Sequence, residues 1–157
     1  MKVMTIYMSD GTPLLISPQD YDQVARVRWF PSGAMRHAAG RPNGKKGGCV
    51  YLARFIMNPP EGMVVDHIDR NPHNNQRSNL RVCTRSQNQQ NRAAQTNSSS
   101  GFKGVFWHAI GKKWMASIGH EGKAIYLGLH STPEQAARAY NKMAKKLHGK
   151  FAVLNKL

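Results

Sequence analysis

Residues 87–101, QNQQNRAAQTNSSSG, carry no large apolar side chain. Such a stretch gains nothing by burial to offset the entropy of ordering it, so it cannot run through a core. It therefore splits the 157-residue chain into two differently composed pieces. Its first part is more regular, because Thr84 is placed to cap a short helix from Arg85 to about Arg92. The remainder, 93–100, reads as a flexible connector.

Charge is unevenly spread over the two pieces. Lys and Arg number 23 against 8 Asp and Glu, a formal charge of +15 with a pI near 10.4. Residues 93–157 alone hold ten Lys and Arg against Glu121 and Glu134, a net +8. A surplus of this sign points to a polyanionic partner, since each cation set beside a phosphate releases condensed counterions. No run of about 18 apolar residues occurs and Asp10-Gly11 interrupts the N-terminus early, so a soluble, intracellular protein is expected. The two cysteines, Cys49 and Cys83, form no CxxC pair and are read as small core residues.

In the first sixty residues, MTIYM and PLLIS flank Ser9-Asp10-Gly11-Thr12, a hairpin in which Asp-Gly supplies the positive φ of a tight turn. Ser17-Pro18 then opens a helix expected to run towards Phe30, with Ser17 as cap and Asp20 and Asp22 in its first turn. A second hairpin is expected from Ala34 to Met57, joining MRHAA to CVYLARFIM. Its tip, GRPNGKKGG, is either a mobile phosphate contact or an ordinary solvated loop.

Beyond the connector, FKGVFWH, KWMASIG and KAIYLGLH are separated by hairpin-length loops and predict a three-stranded antiparallel sheet. Thr132, Pro133 and Glu134 then announce a helix that Gly149 ends. Ala136, Ala137, Tyr140, Met143, Ala144 and Leu147 form its apolar stripe. Gly104-Val105, Lys113-Trp114-Met115-Ala116, Tyr126-Leu127-Gly128, the run Glu134 to Tyr140 and the run His148 to Asn155 resemble the AP2 DNA-binding domain in order and spacing. The resemblance implies a sheet laid in the DNA major groove. Plant members place arginines just after the Gly-Val pair, where this chain has Phe106, Trp107 and His108. Guanine readout by bidentate arginine is therefore not expected here. Phosphate contacts are expected from Lys103, Lys112, Lys113 and Lys123. Trp107 and Trp114 are read first as core residues, with base contact as the alternative.

The central segment places Asp66 and His67 side by side after an apolar run that reads as a buried strand. Phosphodiester hydrolysis needs a base beside a water and a divalent cation on the scissile phosphate. A carboxylate with an amide oxygen is a hard donor set suited to Mg²⁺ or Mn²⁺. Successive strand residues face opposite ways, so both groups reach one site only if the strand ends or twists there.

Val65-Asp66-His67-Ile68-Asp69, Asn74-Asn75, Asn79-Leu80-Arg81 and Asn88 with Asn91 resemble the HNH endonuclease family. They match in particular the homing branch, in which asparagine replaces the last histidine. The resemblance implies a ββα-metal fold with Asp66 and Asn88 as metal ligands and His67 as the group that activates water. It implies an Asn79 side chain that orients His67 by a hydrogen bond. Asn91 is the rival ligand, and Arg81 or Arg85 would meet the phosphate. Relatives joining these two modules usually carry a His-Arg pair on the strand before the site. Here the pair is Ala53-Arg54, with His37 or His73 as possible substitutes.

The expected class is α+β. A β-rich segment (1–58) precedes an HNH ββα-metal motif (59–92), a linker (93–100) and an AP2-like sheet and helix (101–157). The expected function is metal-dependent cleavage of double-stranded DNA by a homing-type HNH endonuclease in the cytoplasm of a bacterial or phage-infected cell. The alternative is a catalytically weak or inactive sequence-specific DNA-binding regulator. The sequence leaves the oligomeric state, target sequence and physiological metal open.

Overall fold

Asp10 and Gly11 reverse the chain between β1 (Met4–Tyr7) and β2 (Pro13–Ile16), which pair antiparallel from Met4 opposite Ile16 to Tyr7 opposite Pro13. The Asp10 carboxylate accepts from Thr12 N at 3.1 Å and fixes the turn. The computed structural model describes residues 3–94 and 98–157, so 95–97 of the expected connector lie outside the described residues. The chain divides into two compact units, the first ending at Arg85 and the second starting at Ser86.

The helix expected from Pro18 is shorter than its sequence implies. A 3-10 turn at Pro18–Asp20 leads into α1 (Tyr21–Ala25), and Trp29 already belongs to β3 (Trp29–Ser32). Trp29 is buried and its Nε1 donates to Val24 O at 2.9 Å, so packing of the indole ends the helix early. Ser17 makes no cap bond; its hydroxyl accepts from Arg77 N at 2.9 Å. β3 pairs with β4 (His37–Gly40), and β4 with β5 (Val50–Tyr51).

The second arm of that hairpin stops after Tyr51 and becomes α2 (Leu52–Met57). Leu52, Ala53 and Ile56 fall on one helical face and enter a core shared with Leu14, Ile16, Val24, Trp29 and Leu80. Ala53-Arg54 therefore sits on a helix, not a strand, and Arg54 donates to Met63 O at 2.9 Å. Of the two cysteines, Cys83 is buried as expected but Cys49 is exposed, correcting its reading as a core residue.

The ββα element follows. β6 (Val64–His67) pairs antiparallel with β8 (Leu80–Cys83), and α3 (Arg85–Gln90) comes two residues later. Between the strands lie the two-residue β7 (Asn74–Asn75) and a 3-10 turn at Arg77–Asn79. β7 runs parallel to β2, with Leu15 opposite Asn74 and Ile16 opposite Asn75. The N-terminal hairpin thus supports the site loop from its open edge.

In the second unit, β9 (Val105–His108), β10 (Lys113–His120) and β11 (Lys123–His130) form the expected antiparallel sheet in the order β11-β10-β9. α4 (Pro133–His148) is capped by Thr132, whose Oγ1 accepts from Gln135 N at 3.3 Å. Ala136, Ala137, Tyr140 and Ala144 pack on Val105, Ala116 and Ile118. A Cβ on Gly104 would stand 2.3 Å from the Tyr140 ring, and its φ of +73° also requires glycine. Asn155 ties the C-terminal segment down by accepting from Lys103 N at 2.7 Å and donating to Lys103 O at 3.1 Å.

Candidate nuclease site and nucleic-acid interface

β6 ends at His67, so the pair Asp66-His67 lies where the strand gives way to a loop, as the chemistry requires. Both are buried, at 5 % and 9 % exposure. Asp66 stands opposite Arg81 in the ladder, and its Oδ2 accepts from Arg81 Nε at 2.8 Å and lies 2.7 Å from Nη2. Arg81, expected at a phosphate, thus has its guanidinium against the carboxylate; Arg85 is exposed.

The hydrogen bond expected from Asn79 to His67 comes instead from Asn75. Asn75 Oδ1 stands 3.1 Å from His67 Nε2, while Asn75 Nδ2 donates to Pro72 O at 3.1 Å. An amide oxygen only accepts, so Nε2 carries the ring proton and the lone pair resides on Nδ1. Asn79 holds the loop. Its Oδ1 accepts from Asp69 N at 3.0 Å, and its Nδ2 donates to Asp69 Oδ1 at 2.9 Å and Asn74 O at 2.7 Å. Burial alone would raise the Asp69 pKa, but bonds from Asn71 N–H, Asn74 and Asn79 outweigh it and hold the carboxyl below its usual range.

A second clamp lies behind this loop. Asp20, 1 % exposed, accepts from Arg77 Nε and Nη2 at 2.9 Å, and Arg77 Nη2 also donates to Ile56 O at 3.1 Å. Asp20 is thus an acid of the first turn, as expected, and also a buried ion-pair partner.

Burial pushes the His67 pKa below its usual value, against the opposing pull of Asn75, Asp69 and Asp66. His37 lies with its ring centroid 5.9 Å from that of His67 and is pushed down by burial, then by His67 and His73. His73 Nε2 is 3.2 Å from Arg36 O. The imidazole His67 is therefore kept neutral at pH 7.

Asn88 lies on α3 and is half-buried; Asn91, just beyond it, is buried. Among the described residues no group of three or more His, Cys, Asp or Glu side chains could hold a metal. The Asp66 carboxylate and the asparagine amides are hard oxygen donors, and that chemistry fits Mg²⁺ or Mn²⁺.

Strand register sorts the residues expected at DNA. Phe106 pairs with Met115 and His108 with Lys113, placing these four on the sheet face away from α4. Trp107 pairs with Trp114 on the other face, the same side as buried Ala116, and the two rings meet edge-on at 5.1 Å. Trp107 is nevertheless 50 % exposed, which corrects its reading as a core residue. Lys123 pairs with His120 and lines a cleft with Tyr140 and His148, away from Phe106. Lys103 Nζ donates to Gln90 O and Arg92 O. Lys112 lies in the β9–β10 turn beside Lys113 and is exposed, as is Lys113. Arg138, Lys142, Lys145 and Lys146 are exposed on α4, so much of the charge lies off the sheet face.

Sequence reasoning missed the roles of Asn75, Asp69 and the Asp20–Arg77 pair. For Asn75 a signal existed, since an Asn-Asn pair stands eight residues after His67 in a loop otherwise built for solvent.

Two antiparallel strands with an Asp-His pair at a strand end, a short helix after them and a basic sheet-and-helix module are the plan of a two-part DNA-cutting protein. Comparison with known proteins gives the family. Residues 58–90 match the HNH endonuclease model and residues 100–150 match the AP2 domain model. An uncharacterized HNH endonuclease of Acanthamoeba polyphaga mimivirus is 34% identical over 154 residues, covering 94% of this chain and 76% of that one. Protein 3.8 of Escherichia phage T7 is 33% identical over 93 residues, covering 59% of this chain and 76% of its own. APETALA2-like protein 2 of Oryza sativa is 46% identical over 59 residues, covering 36% of this chain and 13% of its own. No solved structure matches. The chain belongs to the HNH endonuclease family and carries an AP2 domain, so it is a DNA endonuclease with a DNA-binding module. Among the described residues no helix is long and apolar enough to cross a membrane.

Proposed function

We propose that this protein is a metal-dependent, homing-type endonuclease of double-stranded DNA, acting in the cytoplasm of a bacterial or phage-infected cell. The observation that carries the reading is the buried His67 ring, oriented through Nε2 by Asn75 and kept neutral beside Asp66. His67 takes the proton of the attacking water at Nδ1, a neutral imidazole being the form that can accept it. Asp66 and Asn88 would hold Mg²⁺ or Mn²⁺, with Asn91 as the rival to Asn88. When bound, the cation supplies charge to the scissile phosphate and the departing oxygen. Asn79 and Asp69 keep the loop in shape around His67, and Arg85 meets a phosphate. The C-terminal sheet targets the enzyme, with Lys112 and Lys113 on phosphates and the face bearing Phe106 and His108 in the major groove. One chain carries one such site, and one site cuts one strand.

A second reading has its own support. Arg81 holds the Asp66 carboxylate that the metal needs, and Ala53 replaces a histidine. On that reading the protein is a DNA-binding regulator on a nuclease scaffold. Purified protein incubated with supercoiled plasmid in Mg²⁺, in Mn²⁺ and in excess chelator separates the two. Nicking or linearisation with either metal and none in chelator is expected. Tight sequence-specific binding without cutting in any metal or pH would overturn the nuclease reading.

A further inference from the structure

The outward sheet face of the second unit is unusually apolar for a surface expected to meet DNA. Phe106 is 52 % exposed, Tyr126 60 % and Leu129 37 %. Register makes them one patch: Phe106 lies opposite Met115, Met115 opposite Leu129, and Tyr126 opposite Ser117. Contiguous exposed apolar surface of this kind marks a binding site. The ten Lys and Arg against two acids over residues 93–157, with Lys112 and Lys113 beside the patch, give a duplex as its occupant.

The chemistry of the face then restricts what it can read. From Val105 to His130 there is no Arg, Asn or Gln. The bidentate arginine–guanine and amide–adenine contacts of the major groove are therefore absent from all three strands. His108 offers a single donor, because its Nδ1 accepts from Gly111 N at 3.0 Å and the ring proton lies on Nε2. The one base-edge feature in that groove that an apolar side chain recognises is the 5-methyl group of thymine.

We infer that the Phe106–Met115–Tyr126–Leu129 face recognises a thymine-rich duplex site through the thymine methyl groups. The inference rests on the targeting role proposed above for this sheet. Water is driven from the methyls and the rings together, and the lysines set the register on phosphates.

The test uses the full-length protein in chelator, so that nothing is cut. A preferred duplex is first selected from a random library, and each thymine in it is then replaced by deoxyuridine, which removes only the methyl. Loss of each contacted methyl is expected to weaken binding about three- to five-fold. A Phe106→Ala/Tyr126→Ala double variant, altered only at exposed positions, is expected to bind the thymine and uracil duplexes equally. A selected site whose affinity ignores uracil but falls with 7-deazaguanine would overturn this inference and leave the targeting role standing. Tighter binding to the single strand than to the duplex would overturn it too, making the face a stacking platform. Selection of no preferred sequence would overturn the targeting role as well.

Discussion

His67 Nε2 and Asn75 Oδ1 stand 3.1 Å apart inside the first unit, and β2 holds the Asn75 backbone in place by parallel pairing with Ile16. Fixing the tautomer of a buried imidazole is a task that an acceptor of the right geometry performs and an apolar side chain does not. Asn75→Ala is expected to lower kcat about 10- to 100-fold with DNA affinity unchanged. Asn75→Asp, which keeps an acceptor, should recover part of that loss. Equal kcat in wild type and alanine variant under single-turnover conditions would remove Asn75 from its positioning role.

Asn79 spends both amide hydrogens and its oxygen on Asp69 and Asn74. Truncation leaves the part-buried Asp69 N–H, an Asp69 carboxylate oxygen and the Asn74 carbonyl each one bond short. Asn79→Ala should therefore destabilise the protein by about 2–3 kcal/mol in urea unfolding. A change below about 0.5 kcal/mol would mean that water replaces these bonds without cost.

Arg77 is the cation for Asp20, which is 1 % exposed. Removing one member of such a pair strands a buried charge. Arg77→Ala should cost about 3 kcal/mol, while the double change Asp20→Asn with Arg77→Ala should cost less than the single one. Additive losses in the double-mutant cycle would show that the pair is not coupled.

His148 carries a pH dependence in the second unit. Burial pushes its pKa below 6.5; the Gly119 carbonyl opposes this, and Lys103 and His120 reinforce it. The unfolded chain takes up its proton near pH 6.5 while the folded one does not. Stability is therefore complete above about 6.5 and is lost as pH falls from there towards the folded value. Tm should drop between pH 7 and pH 5.5. His148→Gln, which can still donate to Gly119 O, should show a smaller drop. Identical slopes for the two proteins would exclude His148 as the source.

Much of the fold was legible because local chemistry and tertiary packing agree. Thr132, Pro133 and Gly149 bound α4, and Asp66-His67 sits at the end of β6. The failures lie where packing overrides local preference. QDYDQVARVRWF has the composition of a helix, yet Trp29 is drawn into the core as part of β3. LARFIM is a short apolar run that suits strand or helix, and only its burial at Leu52, Ala53 and Ile56 shows which. At the site, the resemblance to HNH endonucleases singles out Asp66, His67 and Asn79. Asn75 was not assigned, because its role depends on pairing with a strand almost sixty residues earlier. Phe106 and Trp107 were grouped as neighbours in sequence, although strand alternation turns them to opposite faces.

The most direct measurement compares wild type with His67→Ala on supercoiled plasmid in Mg²⁺ and in Mn²⁺, under single-turnover conditions and with DNA affinity measured alongside. Wild type should nick the plasmid, and the variant should bind DNA as well as wild type but cut at least a hundred-fold more slowly, the scale of a lost general base. Equal cutting by the two proteins would contradict His67 as the base and move the catalytic centre elsewhere.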